Sequence, residues 1–349
     1  MSTLIRAPHL PPALREPANP RALLRTALYD WLLIACCWVA MALIPPAWWL
    51  LQAVPIVLIA GRLHALGVVL HDACHLRRRP QPAQARMLQL LAGYPITTTL
   101  EAMRYHHLRH HRDSCMATDP YFKPGASDRW WPALRARLQG LLLPPAWILR
   151  SVIGVAALRW PALRNGYARA LLGDRSGRDL RNDAEILQCL RAEPGQALFF
   201  VIVALIGVWF PIAVAFGYVL PLLLAALFNA NRVVAEHQHV LVRDRDPATV
   251  VGTTRDHIGG WVNRMLLYPH HIGYHTVHHL HPMAAWHNLP LLQDWYRDTW
   301  PGHGDAVESM ERATLPCNST AASAATETSA VAPLAAAKAC PDQAGHQRA

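Results

Sequence analysis

The apolar residues of this chain fall in long unbroken blocks, not in the short alternations that strands require. From Thr26 to Ile44 runs TALYDWLLIACCWVAMALI; Pro45-Pro46 then breaks the helix, and WLLQAVPIVLIAGRLHALGVVL continues to Leu70. Between Ala27 and Leu70 the only Asp, Glu, Lys or Arg are Asp30 and Arg62, and between Ala197 and Asn231 there are none. Crossing a hydrocarbon core takes roughly 20 residues, so each block predicts two crossings. Trp48 and Trp49 sit at the first outer turn, where indole rings favour the headgroup level, and Pro211, Gly217 and Pro221 place the second. The second block is long enough for two helices only if the last one continues past Asn231. The expected fold class is an all-α integral membrane protein with four transmembrane helices in two hairpins and both termini on one side.

Two other apolar runs read differently. Residues 87–103, MLQLLAGYPITTTLEAM, are too polar to span and are expected to pack on the membrane face. Residues 138–158, cut by Pro144-Pro145 and carrying Arg150, fit an interfacial or re-entrant element. Arg62 and His64 lie two or three turns before His71. Either the helix has left the bilayer there, which is the expectation, or they line a cavity within it. Residues 1–25, rich in Pro and Arg, read as an arm. Residues 26–315 form the membrane domain, within which 165–193 is a polar loop. Residues 316–349, rich in Ala, Ser and Thr without period, read as a disordered tail.

Charge alters the picture of partners. The net charge of +10 would suit a nucleic-acid binder, but between His71 and Gln196 there are 19 Lys or Arg against 10 Asp or Glu. That is the positive-inside distribution of a cytoplasmic segment, so the basic excess reads as topology in an inner, cytoplasmic membrane and not as a nucleic-acid surface. The seven cysteines are odd in number and irregular in spacing, which excludes a disulfide framework or a CxxC zinc site. There is no short apolar stretch with a cleavage site at the N-terminus, so no cleaved signal peptide is expected.

The polar residues that stand out are histidines. His275, His278 and His279 lie at i, i+3 and i+4 in GYHTVHHLHPMAAWHNLP, one face of a helix. His107, His110 and His111 repeat the spacing in HHLRHH, and His71 with His75 form an i, i+4 pair in HDACH. Eight imidazoles in three aligned clusters beside apolar runs point to a shared metal centre, and their number exceeds what one ion coordinates. Asp72, Asp113, Glu236 and Asp119 stand near enough in sequence to orient ligating rings. Asn229 and Asn231 either bind a metal-bound water or cap and pack.

HDACH, MRYHHLRHHRDSCMATDPY, RVVAEHQH and GYHTVHHLHPMAAWHNLP, in that order, resemble the membrane fatty acid desaturase and hydroxylase superfamily over roughly residues 25–300. The resemblance implies two non-haem iron ions at the cytoplasmic ends of four helices under a helical cap. It implies a ninth ligand, His237, which a helix continuing through NRVVAEHQH would carry just beyond the membrane edge, with His239 facing away. His106 also stands i, i+4 from His110, but the HxxHH pattern and the neighbouring Arg104 favour His107. His281 and His287 are expected beside the centre or the substrate tunnel, and His239, His257, His270 and His271 as surface or interfacial residues. The family's chemistry is O2-dependent desaturation of an acyl chain, with electrons from a separate carrier such as a ferredoxin, since no fused HPGG segment or Cys run is present. A carotenoid or acyl-lipid hydroxylase or ketolase on the same scaffold is the alternative. A metal transporter would instead place its ligands near the bilayer midplane and a haem carrier would pair single histidines across spans.

Overall fold

A computed structural model describes residues 10–77, 79–126 and 129–299. Among them the structure is helical, with a single isolated bridge between His237 and Thr254. Five helices among the described residues are long and apolar enough to cross a membrane: Pro20–Leu43, Ala47–Cys74, Trp130–Arg159, Ala184–Trp209 and Pro211–Glu236. Four were expected; the additional one is Trp130–Arg159.

The first helix, α1 (Pro20–Leu43), starts six residues earlier than the apolar block suggests, because Asn19 accepts from the Arg21 amide and Pro20 suits a first turn. The next, α2 (Ala53–Cys74), is the axis of the molecule. Its most apolar window is 72% buried, against 17% for α1 and 11% for Ala184–Trp209, so the outer helices turn their apolar sides outward, as lipid contact requires. Leu63, Leu66, Val69 and Leu70 of α2 pack with Leu23, Ala27 and Ile34 of α1 and with Leu222 and Ala225. The α3 helix (Leu100–Asp113) is capped by Thr99 Oγ1, which accepts from the Ala102 amide at 3.1 Å. Three further long helices follow: α4 (Leu143–Arg159), α5 (Ala184–Trp209) and α6 (Leu220–Glu236). Part of the expected polar loop is helix after all, since α5 begins at Ala184, where Asp183 accepts from the Glu185 and Ile186 amides.

Arg150 of α4 is fully buried, and so is its partner on α5. Its Nε donates to Glu193 at 2.9 Å, its second nitrogen approaches Thr98 and Gln196, and the Tyr167 hydroxyl also donates to Glu193. Gly154 permits this approach, because a Cβ there would collide with the Glu193 side chain. Such a pair loses most when one partner is removed and leaves the other charge unpaired.

Arg62 and His64 have not emerged from the protein. Arg62 donates to Asp30 of α1 at 3.0 Å and to the Met265 carbonyl, while His64 Nδ1 lies 3.0 Å from the Leu266 carbonyl. His64 also borders a cavity, which favours the reading set aside above. The described part of the N-terminal arm is docked: Leu10 packs with Val277, Leu289 and Leu292, and Glu16 accepts from the Ala285 amide at 2.9 Å. The expected tail, 316–349, lies outside the described residues.

Candidate metal centre

Three helix ends and one extended residue deliver the histidines. His71 is in the last turn of α2, and His75 is the residue that ends that helix. His107, His110 and His111 occupy the last two turns of α3, on one side of it. His275, His278 and His279 lie on α7 (His275–Leu280), whose Thr276 amide donates to Asp256 at 2.7 Å. His237 arrives otherwise than expected: α6 ends at Glu236, and His237 is extended (φ −126, ψ 145) and bridges Thr254. The Arg255 amide donates to the Glu236 carbonyl and the Gln238 amide to Thr253. The helical-angle reason for turning His239 away therefore does not apply. A left-handed φ of 50 does it, with His239 Nδ1 accepting from the Lys123 amide.

Among the described residues the nine histidines form two groups. His71, His75, His107, His111 and His278 make one, and His110, His237, His275 and His279 the other; within each, one ring nitrogen per residue lies within 4.8 Å of all the rest. Nε2 of His107 is 2.8 Å from that of His75 and 3.0 Å from that of His111, which is 3.0 Å from that of His278. In the other group His237 Nε2 is 3.1 Å from His110 and 2.9 Å from His275. Two nitrogens bound at right angles to one ion, about 2.1 Å from it, stand about 3 Å apart, so the spacing fits shared coordination. The groups adjoin, with the His111 and His279 rings 4.3 Å between centroids.

The protonation state fits as well. Burial, reinforced by neighbouring imidazoles, holds His107, His111, His237, His275, His278 and His279 well below the ordinary 6.5. His75 is lowered to about 3 by burial and then by Arg104. Neutral rings with free lone pairs are what a cation needs. Two carboxylates back the four-histidine group. Asp119 accepts from His110 Nδ1 at 2.9 Å and from the Cys115 and Tyr121 amides at 2.8 Å each. Burial pushes Asp119 up, but His110 and these hydrogen bonds outweigh it and keep it below the usual carboxylate value. Glu236 stands 3.4 Å from His275 Nδ1 and is held by Arg232 at 3.0 Å.

The other expected neighbours differ. Asp72 is 3.7 Å from His71 and accepts from the Trp286 amide. Asp113, itself buried, pairs at 2.7 Å with the exposed Arg112 and with none of the histidines. Arg104 makes no hydrogen bond to any of the nine among the described residues and acts on His75 through space. His106 stays outside both groups, with Nδ1 2.7 Å from the Tyr121 hydroxyl. His281 bonds to Tyr296 at 2.7 Å and His287 is exposed beside Trp286, so neither borders the centre. His270 contacts Asp30 at 2.8 Å and His257 the Ala235 carbonyl. Asn231 accepts from Arg137, and Asn229 from Arg232 at 3.3 Å. Sequence reasoning missed Tyr121, which stacks on His110 at 4.4 Å, Asp256, and Arg245, 3.5 Å from His279 Nδ1. Only the DP dipeptide Asp119-Pro120 beside Tyr121 gave any local signal.

A cavity of about 310 Å³ runs from this centre between α2, α4 and α6. His71 and His107 form part of its wall, and Leu63, Val68, Ile96 and Leu222 make the rest largely apolar. Nine converging imidazoles, two of them bordering a largely apolar cavity, in a bundle of membrane-length helices suit oxidative chemistry on a lipid-like chain. The model of the fatty acid desaturase family matches residues 47–309. The chain belongs to that family. Membership makes this desaturase homologue an oxidoreductase of lipid substrates in a membrane, and the matched segment contains all nine grouped histidines. No curated protein matches the chain.

Proposed function

We propose that this desaturase-family protein holds two iron ions, one in each histidine group, and introduces a double bond into an acyl chain with O2 and electrons from a separate carrier such as a ferredoxin. The observation that carries the reading is the partition of nine converging imidazoles into groups of five and four, the first lending His71 and His107 to the wall of a largely apolar cavity. Iron bound there would supply O2 reduction and the removal of hydrogen from an unactivated methylene.

The residues of the chain do the positioning. Leu63, Val68, Ile96 and Leu222 hold an alkyl chain so that one carbon lies against His71 and His107. Asp119 fixes His110 with its proton on Nδ1 and leaves Nε2 free for the ion, and Glu236 stands 3.4 Å behind Nδ1 of His275. Asp72, Arg104 and Asp113 are not needed as direct orienting partners. Leu10 packs with Val277 of α7, the helix that carries the third histidine cluster, and so covers that helix on one side.

The topology we propose has four crossings, by α1, α2, α5 and α6, with the centre and both termini in the cytoplasm. Two features support it: the excess of Lys and Arg between His71 and Gln196, and the contact of Leu10 with Val277. Trp130–Arg159 tightens to a 3-10 turn at Gln139–Leu142, and Arg150 of α4 meets α5 at Glu193 and Gln196. An element at one leaflet fits these contacts.

The test is expression in a bacterial host, with total lipid extracts compared by mass spectrometry against an empty-vector strain. New species lighter by two hydrogens, lost in His278→Ala, are expected. Species heavier by one oxygen would move the reading to a hydroxylase, and metal analysis showing only zinc would refute it.

A further inference from the structure

The cavity beside the histidine groups is not uniformly apolar. His64 and His106 also border it, more than nine-tenths buried at 4% and 8% exposure, and Nε2 of each meets no hydrogen-bond partner. Orphaned buried polar atoms are rare and ask for an explanation.

For His64 the chemistry can be read from one contact. Its Nδ1 lies 3.0 Å from the Leu266 carbonyl oxygen, which can only accept, so Nδ1 carries the proton. The ring is neutral, because a buried imidazolium with Arg62 and Arg232 as its neighbours would be unpaired. Nε2 is then a bare, buried lone pair without a partner, in a residue that borders the cavity. His106 permits no such assignment, since the Tyr121 hydroxyl 2.7 Å from its Nδ1 can donate or accept. On α2, His64 stands two turns before His71, a rise of about 10 Å away from the metal groups into the membrane helices.

We propose that the chain oxidised at this centre carries a hydrogen-bond donor of its own, a hydroxyl or an amide N–H, about 10 Å from the reacting carbon, received by Nε2 of His64. The inference rests on the reading of the protein as an oxidase of an apolar chain, and it narrows the substrate to one with an internal or distal polar group. A plain alkyl chain would leave the lone pair without a donor.

Binding tests this without turnover. In detergent-purified full-length protein, displacement of tritiated 1-decanol is measured for 1-decanol, for 1-methoxydecane, in which a methyl group replaces the donated proton, and for N-octylacetamide, which offers an N–H. The alcohol or the amide should bind about tenfold more tightly than the ether, and the tighter of the two identifies the donor. His64→Asn keeps an amide N–H for Leu266 but withdraws the Nε2 position, and His64→Leu removes both. In each variant the preference should shrink to within about twofold, with ether affinity retained. Equal affinities in the wild-type protein, or a preference that survives both substitutions, overturn the proposal and leave water as the occupant. Iron content and host lipids are assayed on the same preparations. Two irons and oxidised lipid without a donor preference sink this inference alone, whereas a preference without iron or oxidised lipid upholds the site and sinks the functional reading.

Discussion

Asp119 offers the sharpest test of how the four-histidine group is built. Its two oxygens take three donors: His110 Nδ1 at 2.9 Å and the Tyr121 amide at 2.8 Å on Oδ1, and the Cys115 amide at 2.8 Å on Oδ2. In Asp119→Asn one oxygen becomes a donor. The better orientation keeps the oxygen on His110 and Tyr121 and sets the new N–H₂ against the Cys115 amide. His110 then keeps its tautomer but loses a charge-assisted bond, which is roughly twice as strong as a neutral one. Asp119→Ala removes all three bonds and frees His110 to put its proton on Nε2, the nitrogen that faces His237 at 3.1 Å. Orienting partners of this kind are worth about 10–100-fold in metal affinity, or about 1.4–2.7 kcal/mol. We place the Asn variant near the lower figure and the Ala variant near the upper.

The assay is equilibrium competition of the purified protein with a ferrous chelator, scored as iron retained per chain. Wild-type protein should hold two ions to the highest chelator concentration. Asp119→Asn and Asp119→Ala should release one of them first, in graded order. Asp113→Asn is the control, because Asp113 pairs with the exposed Arg112 and not with a histidine, and it should change affinity by less than about twofold. Equal retention by the Asp119 and Asp113 variants would refute the assigned role of Asp119.

Three other outcomes are expected. His237→Ala should abolish product and lower bound iron while His239→Ala leaves most of both, because only His237 joins a group; equal tolerance would leave an eight-histidine centre. Reporter fusions after Ala47 and Phe216 should face outward and fusions after Arg79 and Gln293 inward, and the reverse pattern would displace the centre from the cytoplasm. The metal-free protein should lose stability in acid. Histidines held below 6.5 in the fold, His75 at about 3, take up protons first in the unfolded chain. Stability is therefore full above about pH 6.5 and falls below it, by up to about 1.4 kcal/mol per pH unit for each such histidine. An unfolding midpoint in detergent that is flat from pH 7.5 to 5.5 would contradict neutral burial.

The membrane helices and the histidine clusters were legible in the sequence because each has a local period. An uncharged block declares a hydrophobic helix, and i, i+3, i+4 spacing puts imidazoles on one face wherever that helix lies. What escaped depends on contacts between distant residues. The burial of Arg150 required Glu193 on another helix, so the same Arg that argued against a span from sequence is satisfied inside the protein. His237 required the bridge to Thr254, which no helical continuation of α6 suggests. Asp113 follows the second cluster by two residues and Asp119 by eight, yet it is Asp119 that reaches His110, because the turn after Ser114, with Cys115 at a positive φ of 61, brings it beneath that ring.

Charge explains why the two groups are not equivalent. Imidazoles bring no negative charge, so the charge of ions held by nine of them must be offset from the surroundings. Asp119 and Glu236 both stand behind the four-histidine group, and Glu236 is itself partly neutralised by Arg232 at 3.0 Å. The five-histidine group has only Asp72, at 3.7 Å from His71, and it is this group that meets the apolar cavity. The two groups thus differ in their surroundings: carboxylates stand behind the four-histidine group, and the five-histidine group is the one that borders the cavity.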